Sequence, residues 1–401
     1  MVHANVVDFA QMREKLLPLD DVREQLASTE PLSEVAFVAG QSALAVFQND
    51  QGGQPWYKTE LTNAAPVWLD VPNGERYQLT HQAAMQLASE CHVTRGYQEL
   101  VPGTLLQDNV NWWLQHGLGD KELKLLVAGS GKDSFGADVP LVRAVCRHTV
   151  SPFSNLALLE TMLSGLEKKY GQGEVLVDYK FHHDLERTAM RLIIPGYERS
   201  IEGTSVHDDT WSLGLDYYNS LIGLKQTTLA GYLFRWWCTN GCTDVANQVG
   251  GFSRRGSTEE DALAWAQESV DEILGGLEHT FDQVQALTTQ PVGGDVVTVL
   301  KGLFREFGIP KRERTRIIET MADTTELTMY ELLSAVTMAA NIEGLDDRDV
   351  HRLLNMGGHI THASTGLCST CHQLLPEGFA LGETEPEPVA LVSAAGGADE
   401  D

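Results

Sequence analysis

Two pairs of metal-ligand residue types stand close together late in the chain, His359-x-x-His362 and Cys368-x-x-Cys371. Imidazole nitrogen and thiolate sulfur are the donors that tetrahedral zinc takes, and two such pairs joined by a loop supply four ligands. Five residues separate the pairs, a spacing that suits only a small knuckle, with His372 as a substitute ligand. Four protein ligands leave no open coordination position, so the zinc expected here is structural, fixing a segment that is otherwise weakly held. Cys238 and Cys242 have no evident His partner and are read as packing residues.

A second constellation is electrostatic. The chain carries 29 Lys and Arg against 56 Asp and Glu, a formal charge of −27. A field of that sign disfavours non-specific adsorption to DNA, RNA or anionic lipid but leaves room for a local basic groove. Lys301, Arg305, Lys311, Arg312, Arg314 and Arg316 form such a cluster, with Arg254 and Arg255 as a further basic point in a glycine-flanked loop. Arg312 and Arg316, four apart on one helical face, can contact successive phosphates. The row Tyr232, Phe234 and Trp236 reads as a buried strand ending in a loop; in the alternative, facing a ligand, it would add a surface on which bases stack. Opposing this, Glu306, Glu313 and Glu319 interleave the cluster, and intrahelical ion pairs would leave little net field.

Other chemistry finds less support. Gly129-Ser130-Gly131-Lys132 follows an apolar run, but a phosphate-binding loop needs a Gly with four residues between it and its Gly-Lys, and position 126 is Leu. A surface hairpin is expected there, and no nucleotide. The chain contains neither a Gly-x-Ser-x-Gly elbow nor a His-Glu-x-x-His helix. His182-His183-Asp184 is read as a turn. A non-enzymatic protein is therefore expected, with a metal-dependent enzyme as the outlying alternative.

These residues must be positioned by elements legible from periodicity. Residues 1–30 read as a polar leader with one amphipathic helix over Val7–Leu26. Val35–Val38 and Leu44–Phe47 read as paired strands. Thr80 caps a helix to Ser89, and Ser154 caps another that ends at Gly171. Strands follow over Glu174–Phe181 and Arg187–Ile194, then through Leu213, Leu215 and Tyr217, and Asn240-Gly241 suits a tight turn. After Gly256 the period changes from two to 3.6. Capping boxes at Ser257/Glu260 and Thr328/Glu331 start two of five helices, and Gly357-Gly358 stops the last. The expected class is α+β, an antiparallel β-rich N-terminal and middle part with packed helices, then a C-terminal helical bundle. The expected division is a leader to residue 30, a core over 31–256, a bundle over 257–358, a zinc knuckle over 359–375 and a disordered acidic tail over 376–401. No apolar run approaches the roughly 20 residues a membrane span needs. With no signal segment and few cysteines, a cytoplasmic protein with reduced thiols is expected.

Three segments carry a family resemblance. Arg143–Phe153 leads into Asn155-Leu156-Ala157-Leu158-Leu159. Asn219-Ser220-x-x-Gly223 is followed by Cys238-x-Asn240-Gly241. Leu327–Thr337 is followed by Arg348 and Leu353. In order and spacing, over about residues 30–358, they resemble the phage and plasmid proteins grouped as domain of unknown function 932. The resemblance implies phage, prophage or mobile-element cargo in a bacterial host cell, with a role in replication or recombination. A strand–helix core with a helical tail also resembles single-strand annealing recombinases, at the level of fold analogy. The leading expectation is binding of single-stranded nucleic acid, single-stranded DNA first, with the Asn219 and Asn240 loops shaping the groove edge. The alternative is a protein–protein or self-assembling module, acting with a partner protein or as a homo-oligomer, and no membrane.

Overall fold

The structure is a computed structural model. It describes residues 13–29, 32–40, 43–47, 67–98, 100–132, 137–147, 149–150, 152–178, 181–183, 187–204, 209–221, 226–236, 240–252, 257–293, 296–321, 327–340, 345, 347–365 and 369–375. The class is α+β. In chain order the elements begin with strand β1 (Leu17–Pro18), helix α1 (Leu19–Thr29), then β2 (Ser33–Val38), β3 (Leu44–Phe47), β4 (Val67–Asp70) and β5 (Arg76–Leu79). Helices α2 (His81–Glu90), α3 (Arg95–Gln98) and α4 (Gly103–Trp112) follow, the last running into a π-helical turn over Trp113–Gly117. Strands β6 (Glu122–Lys132) and β7 (Asp138–Arg147) complete a six-stranded sheet in the order β2-β6-β7-β5-β4-β3, antiparallel except where β5 runs alongside β7. This sheet buries a core of its own with α2 and α4, through Ala83, Ala84, Leu87, Leu106 and Val110 against Phe37, Leu69, Leu123 and Val145.

The second sheet is built from β8 (Leu176–Val177), β9 (His182–His183), β10 (Thr188–Ser200), β11 (Thr210–Asn219), β12 (Thr227–Arg235) and β13 (Asn240–Phe252), with β1 at its edge against β8. Helix α5 (Asn155–Tyr170) packs with it, as do α6 (Glu259–Leu287), α7 (Val296–Glu306), α8 (Lys311–Met321), α9 (Met329–Ala339), α10 (Asp347–Thr361) and the short α11 (Ser369–His372). One continuous core joins Leu192, Leu215, Tyr232 and Phe234 of the strands to Val270, Leu277, Leu303, Leu333 and Leu353 of the helices. The change of period near residue 257 is thus a change of element and not of core. The sheet and the helices after it close on the same apolar interior, and the separate core is that of residues 37–145.

Several expectations are corrected by distant partners. The 35–38 and 44–47 segments are both strands, but β2 pairs with β6 and β3 with β4, at opposite edges of one sheet. The backbone at the end of β2 explains this: Ala39 N–H donates to Lys121 O and Gly40 N–H to Gly119 O, holding the chain along β6. A Cβ at Gly40 would stand 2.6 Å from Gly119 O, so the crossing requires glycine. The leader is not a free appendage either. Its helix lies at Leu19–Thr29, with Val22 and Leu26 buried in the larger core; residues 1–12 and the tail over 376–401 lie outside the described residues. Asn240-Gly241 does not form the expected turn: it pairs with Arg235 and Phe234 inside the β12–β13 ladder.

Local signals fared better. Thr80 and Ser154 accept from Ala83 N–H and Ala157 N–H as caps, and Thr328 with Glu331 forms a capping box. The α6 box is Thr258 with Asp261, one residue later than expected. Helix α10 does not stop at Gly357-Gly358 but continues to Thr361. A Cβ at Gly357 would touch Cys242, Leu333 and Thr337 at 3.3 Å, so the glycine serves the close approach of α10 to β13 and α9.

The helices are anchored to the sheet by a buried ion pair. Arg235, ending β12, donates from Nε to Asp209 Oδ1 at 2.7 Å and from Nη1 to Ser334 Oγ of α9 at 2.9 Å. Tyr330 of α9 donates its hydroxyl to Asp209 and accepts from Trp211 Nε1 at 3.1 Å. The guanidinium lies over the rings of both Trp211 and Tyr330, and burial, first among the causes, holds the Tyr330 phenol well above its ordinary pKa. Removing one partner leaves the other charge buried and unpaired. Arg235→Met is expected to cost about 3–5 kcal/mol in urea unfolding, and Asp209→Leu/Arg235→Met distinctly less. A single variant as stable as wild type would show that the pair anchors nothing.

Candidate functional site

The structure places the basic cluster on two successive helices. Helix α7 turns Val299, Leu300, Leu303 and Phe304 inward, which leaves Lys301 and Arg305 exposed. Phe307 and Gly308, the latter at φ +62°, then turn the chain, and Pro310 precedes α8. The start of α8 is held by Arg314, whose Nε donates to Ile309 O at 2.6 Å, and by Arg352, which donates to Gly308 O at 3.2 Å. Arg314 is half-buried and belongs to this support. Lys311, Arg312 and Arg316 are exposed.

The acidic residues among them are sorted by helical phase. Glu313 and Ile317 lie four apart on the inward face of α8, 3% and 0% exposed, while Arg312 and Arg316 lie on the outward face. The interleaving carboxylate of α8's first turn is therefore withdrawn from the surface that the arginines present. Glu306 and Glu319 remain exposed. The net result is an outward face richer in positive charge than the sequence order suggests.

The stacking row does not take part. Tyr232, Phe234 and Trp236 are 0%, 0% and 2% exposed. β12 is an interior strand between β11 and β13, buried along nearly its whole length, and Phe234 meets Trp236 edge-on with ring centroids 5.1 Å apart. These rings are core. Arg254 and Arg255 lie outside the described residues, as do Gly223 and Cys238.

The Asn219 motif is also interior. Asn219 Nδ2 donates to Asn155 Oδ1 at 2.6 Å, Tyr217 donates to the same oxygen at 2.9 Å, and Thr227 donates to Asn219 Oδ1 at 2.8 Å. Asn155 opens α5 and Ser220 is fully buried beside the motif. The group ties the ends of β11 and β12 to the first turn of α5 and shapes no groove edge. Asn240 lies in β13 opposite Arg235, with Gly241 opposite Phe234.

No protein-family model, curated protein or solved structure matches the chain. Its geometry has to be read on its own.

The metal-ligand residues are distributed over a helix end and a short helix. His359 is in the last turn of α10, packed edge-on against Phe307 at 4.9 Å, with Nδ1 buried and without a hydrogen-bond partner. Burial lowers its pKa, Glu306 acting in the opposite direction and His362 in the same one. His362 and Cys371 are buried, His372 Nδ1 lies 3.3 Å from Ala363 O, and Cys368 is outside the described residues. Among the described residues no three His, Cys, Asp or Glu side chains converge as a metal requires. His359 was expected in a knuckle loop, and the continuation of α10 through its glycines puts it on a helix instead.

Elsewhere, a shallow pocket of about 380 Å³ opens where β10 bulges beside α6. Its lining includes Glu198, Glu278 and Asp282, with Arg199 engaged by Asp282 at 2.5 Å, and burial raises the Glu198 pKa against a smaller opposing pull from Arg13. Such a lining repels phosphate. Among the described residues no helix is long and apolar enough to cross a membrane.

Sequence reasoning passed over one surface. Tyr97, Leu100, Leu105 and Trp112 are large, apolar and exposed on α3, α4 and the segment between them. The available signal was a second apolar spacing, Leu105 to Trp112, beside the buried Leu106, Val110 and Leu114. Because the Asn219 group is structural, Asn219→Ala is expected to lower stability by about 1–3 kcal/mol in urea unfolding and to leave oligonucleotide affinity of the folded protein unchanged. Lost affinity at full stability would return the motif to the binding surface.

Proposed function

We propose that the chain binds single-stranded nucleic acid through the outward face of α7 and α8, as a phage or mobile-element protein of the domain-of-unknown-function-932 type serving replication or recombination. The observation that carries this is the sorting of charge on α8. Glu313 is buried while Lys311, Arg312 and Arg316 are exposed, and the preceding helix α7 exposes Lys301 and Arg305. A protein at −27 that gathers cations on one face concentrates there its attraction for a polyanion. Contacts of this kind are to phosphates, so the mode is sequence-independent and steeply salt-dependent.

Fluorescence anisotropy of a labelled oligo-dT, read at two salt concentrations, tests it. Binding should weaken as salt rises, with log affinity falling by about 0.7 per phosphate contact for each unit of log salt. Arg312→Glu/Arg316→Glu should lower affinity by about tenfold or more and flatten that slope by about 1.4. Absence of binding at low salt, or an unchanged slope in the variant, would overturn the proposal.

A further inference from the structure

The exposed surface on α3 and α4 is independent of the basic face. Leu100 is 75% exposed, Trp112 54% and Leu105 45%, with Tyr97 beside them. The inward side of the same helix is already satisfied, since Leu106, Val110 and Leu114 are buried in the smaller core. Leu105, Asn109, Trp112 and His116 follow one another at spacings of four, three and four, so they form a single outward stripe. The stripe is held in shape. Asn109 Nδ2 donates to Tyr97 Oη and to Leu105 O, both at 2.9 Å, and the Trp112 ring stacks on His116. Trp113, half-buried, lies against His92 at 4.7 Å, and a Cβ at Gly117 would fall 1.9 Å from its ring. The π-helical turn therefore depends on Gly117, and such turns recur at functional places.

The charge around this stripe says what can cover it. From Gly103 to Gly119 the chain has one formally charged side chain, Asp108, in a molecule of net charge −27. Helix α3 adds exposed Arg95, and an oppositely charged partner gains little from a face with so few charges. Two copies of a strongly acidic chain, by contrast, repel over most of their surfaces and least at a face of this kind. A two-fold axis beside Asn109 would lay α4 antiparallel on its own copy, with Leu105 of one copy over Trp112 of the other, twice.

We propose that α3, α4 and the π-turn form a two-fold self-association surface, occupied by a second copy of this chain. Asp108 then meets its counterpart near the axis, so salt, by screening that pair and the global repulsion, strengthens the dimer. This is the opposite sign from phosphate binding, and the two surfaces are separable by it.

Multi-angle light scattering of the full chain tests this, with sodium chloride raised from about 50 to about 500 mM. The expected mass moves toward twice the 44.1 kDa of the chain as protein and salt increase. Leu105→Glu and Trp112→Ser, both at exposed positions and so expected to keep the wild-type circular dichroism, should each raise the dissociation constant at least about tenfold. A mass that stays at 44.1 kDa throughout, or two variants that associate as wild type does, would overturn the proposal. So would loss of oligo-dT affinity in Trp112→Ser at unchanged mass, which would make the stripe a stacking platform for bases.

Discussion

The pairing of Asp209 with Arg235 is the interaction on which the larger half of the molecule rests. Both side chains are out of water, and neither charge could remain there alone. Their hydrogen bonds reach α9 through Ser334 and Tyr330, so the relation of the helices to the sheet is specified by polar contacts as well as by apolar packing. A purely greasy interface tolerates sliding, whereas a buried carboxylate with several fixed donors defines one arrangement. Helices α7 and α8 belong to the same packed layer, and the exposed basic face inherits its orientation from it.

A second buried set extends this logic across the sheet. Arg191 of β10 donates to Asp178 at 3.0 Å and stands 3.6 Å from Asp216 of β11, which accepts from Thr243 of β13. With the Asn155–Asn219 group, three buried polar clusters are set among the apolar side chains of this sheet's core. Asn219 ends β11 and Arg235 ends β12, so the buried polar residues at these strand ends act as joints. The Asn219 motif looks functional in sequence and is part of the interior here, because a buried sheet needs the same residue types to close itself.

What was legible in the sequence follows the range of the interaction concerned. Helix starts at Thr80, Ser154 and Thr328 could be read because a cap involves residues three apart. The strands over 35–38 and 44–47 could be recognised but not matched, since Phe37 pairs with Leu123 and Phe47 with Val67. Glu313 could be seen among the arginines, yet its burial depends on what α8 packs against. Tyr232, Phe234 and Trp236 read first as a buried strand and second as a stacking row, and the placing of β12 inside the sheet bears out the first. For the His pair, the spacing implies a loop, whereas α10 runs through Gly357 and Gly358 to Thr361 and takes His359 with it.

The path of the chain between its two cores has a consequence for synthesis. Leu16, Val22 and Leu26 belong to the larger core, the next hundred or so residues build the smaller one, and only then does the chain return, so that Leu17 pairs with Val177. On a ribosome, the sheet of β2 to β7 can close while its predecessor β1 still has no partner to meet. That strand and the apolar side of α1 must wait, unpaired, for about 160 further residues. The smaller unit is thus an insertion whose strands are all synthesised before the partner of β1, so it can close while the edge of the larger core is still open.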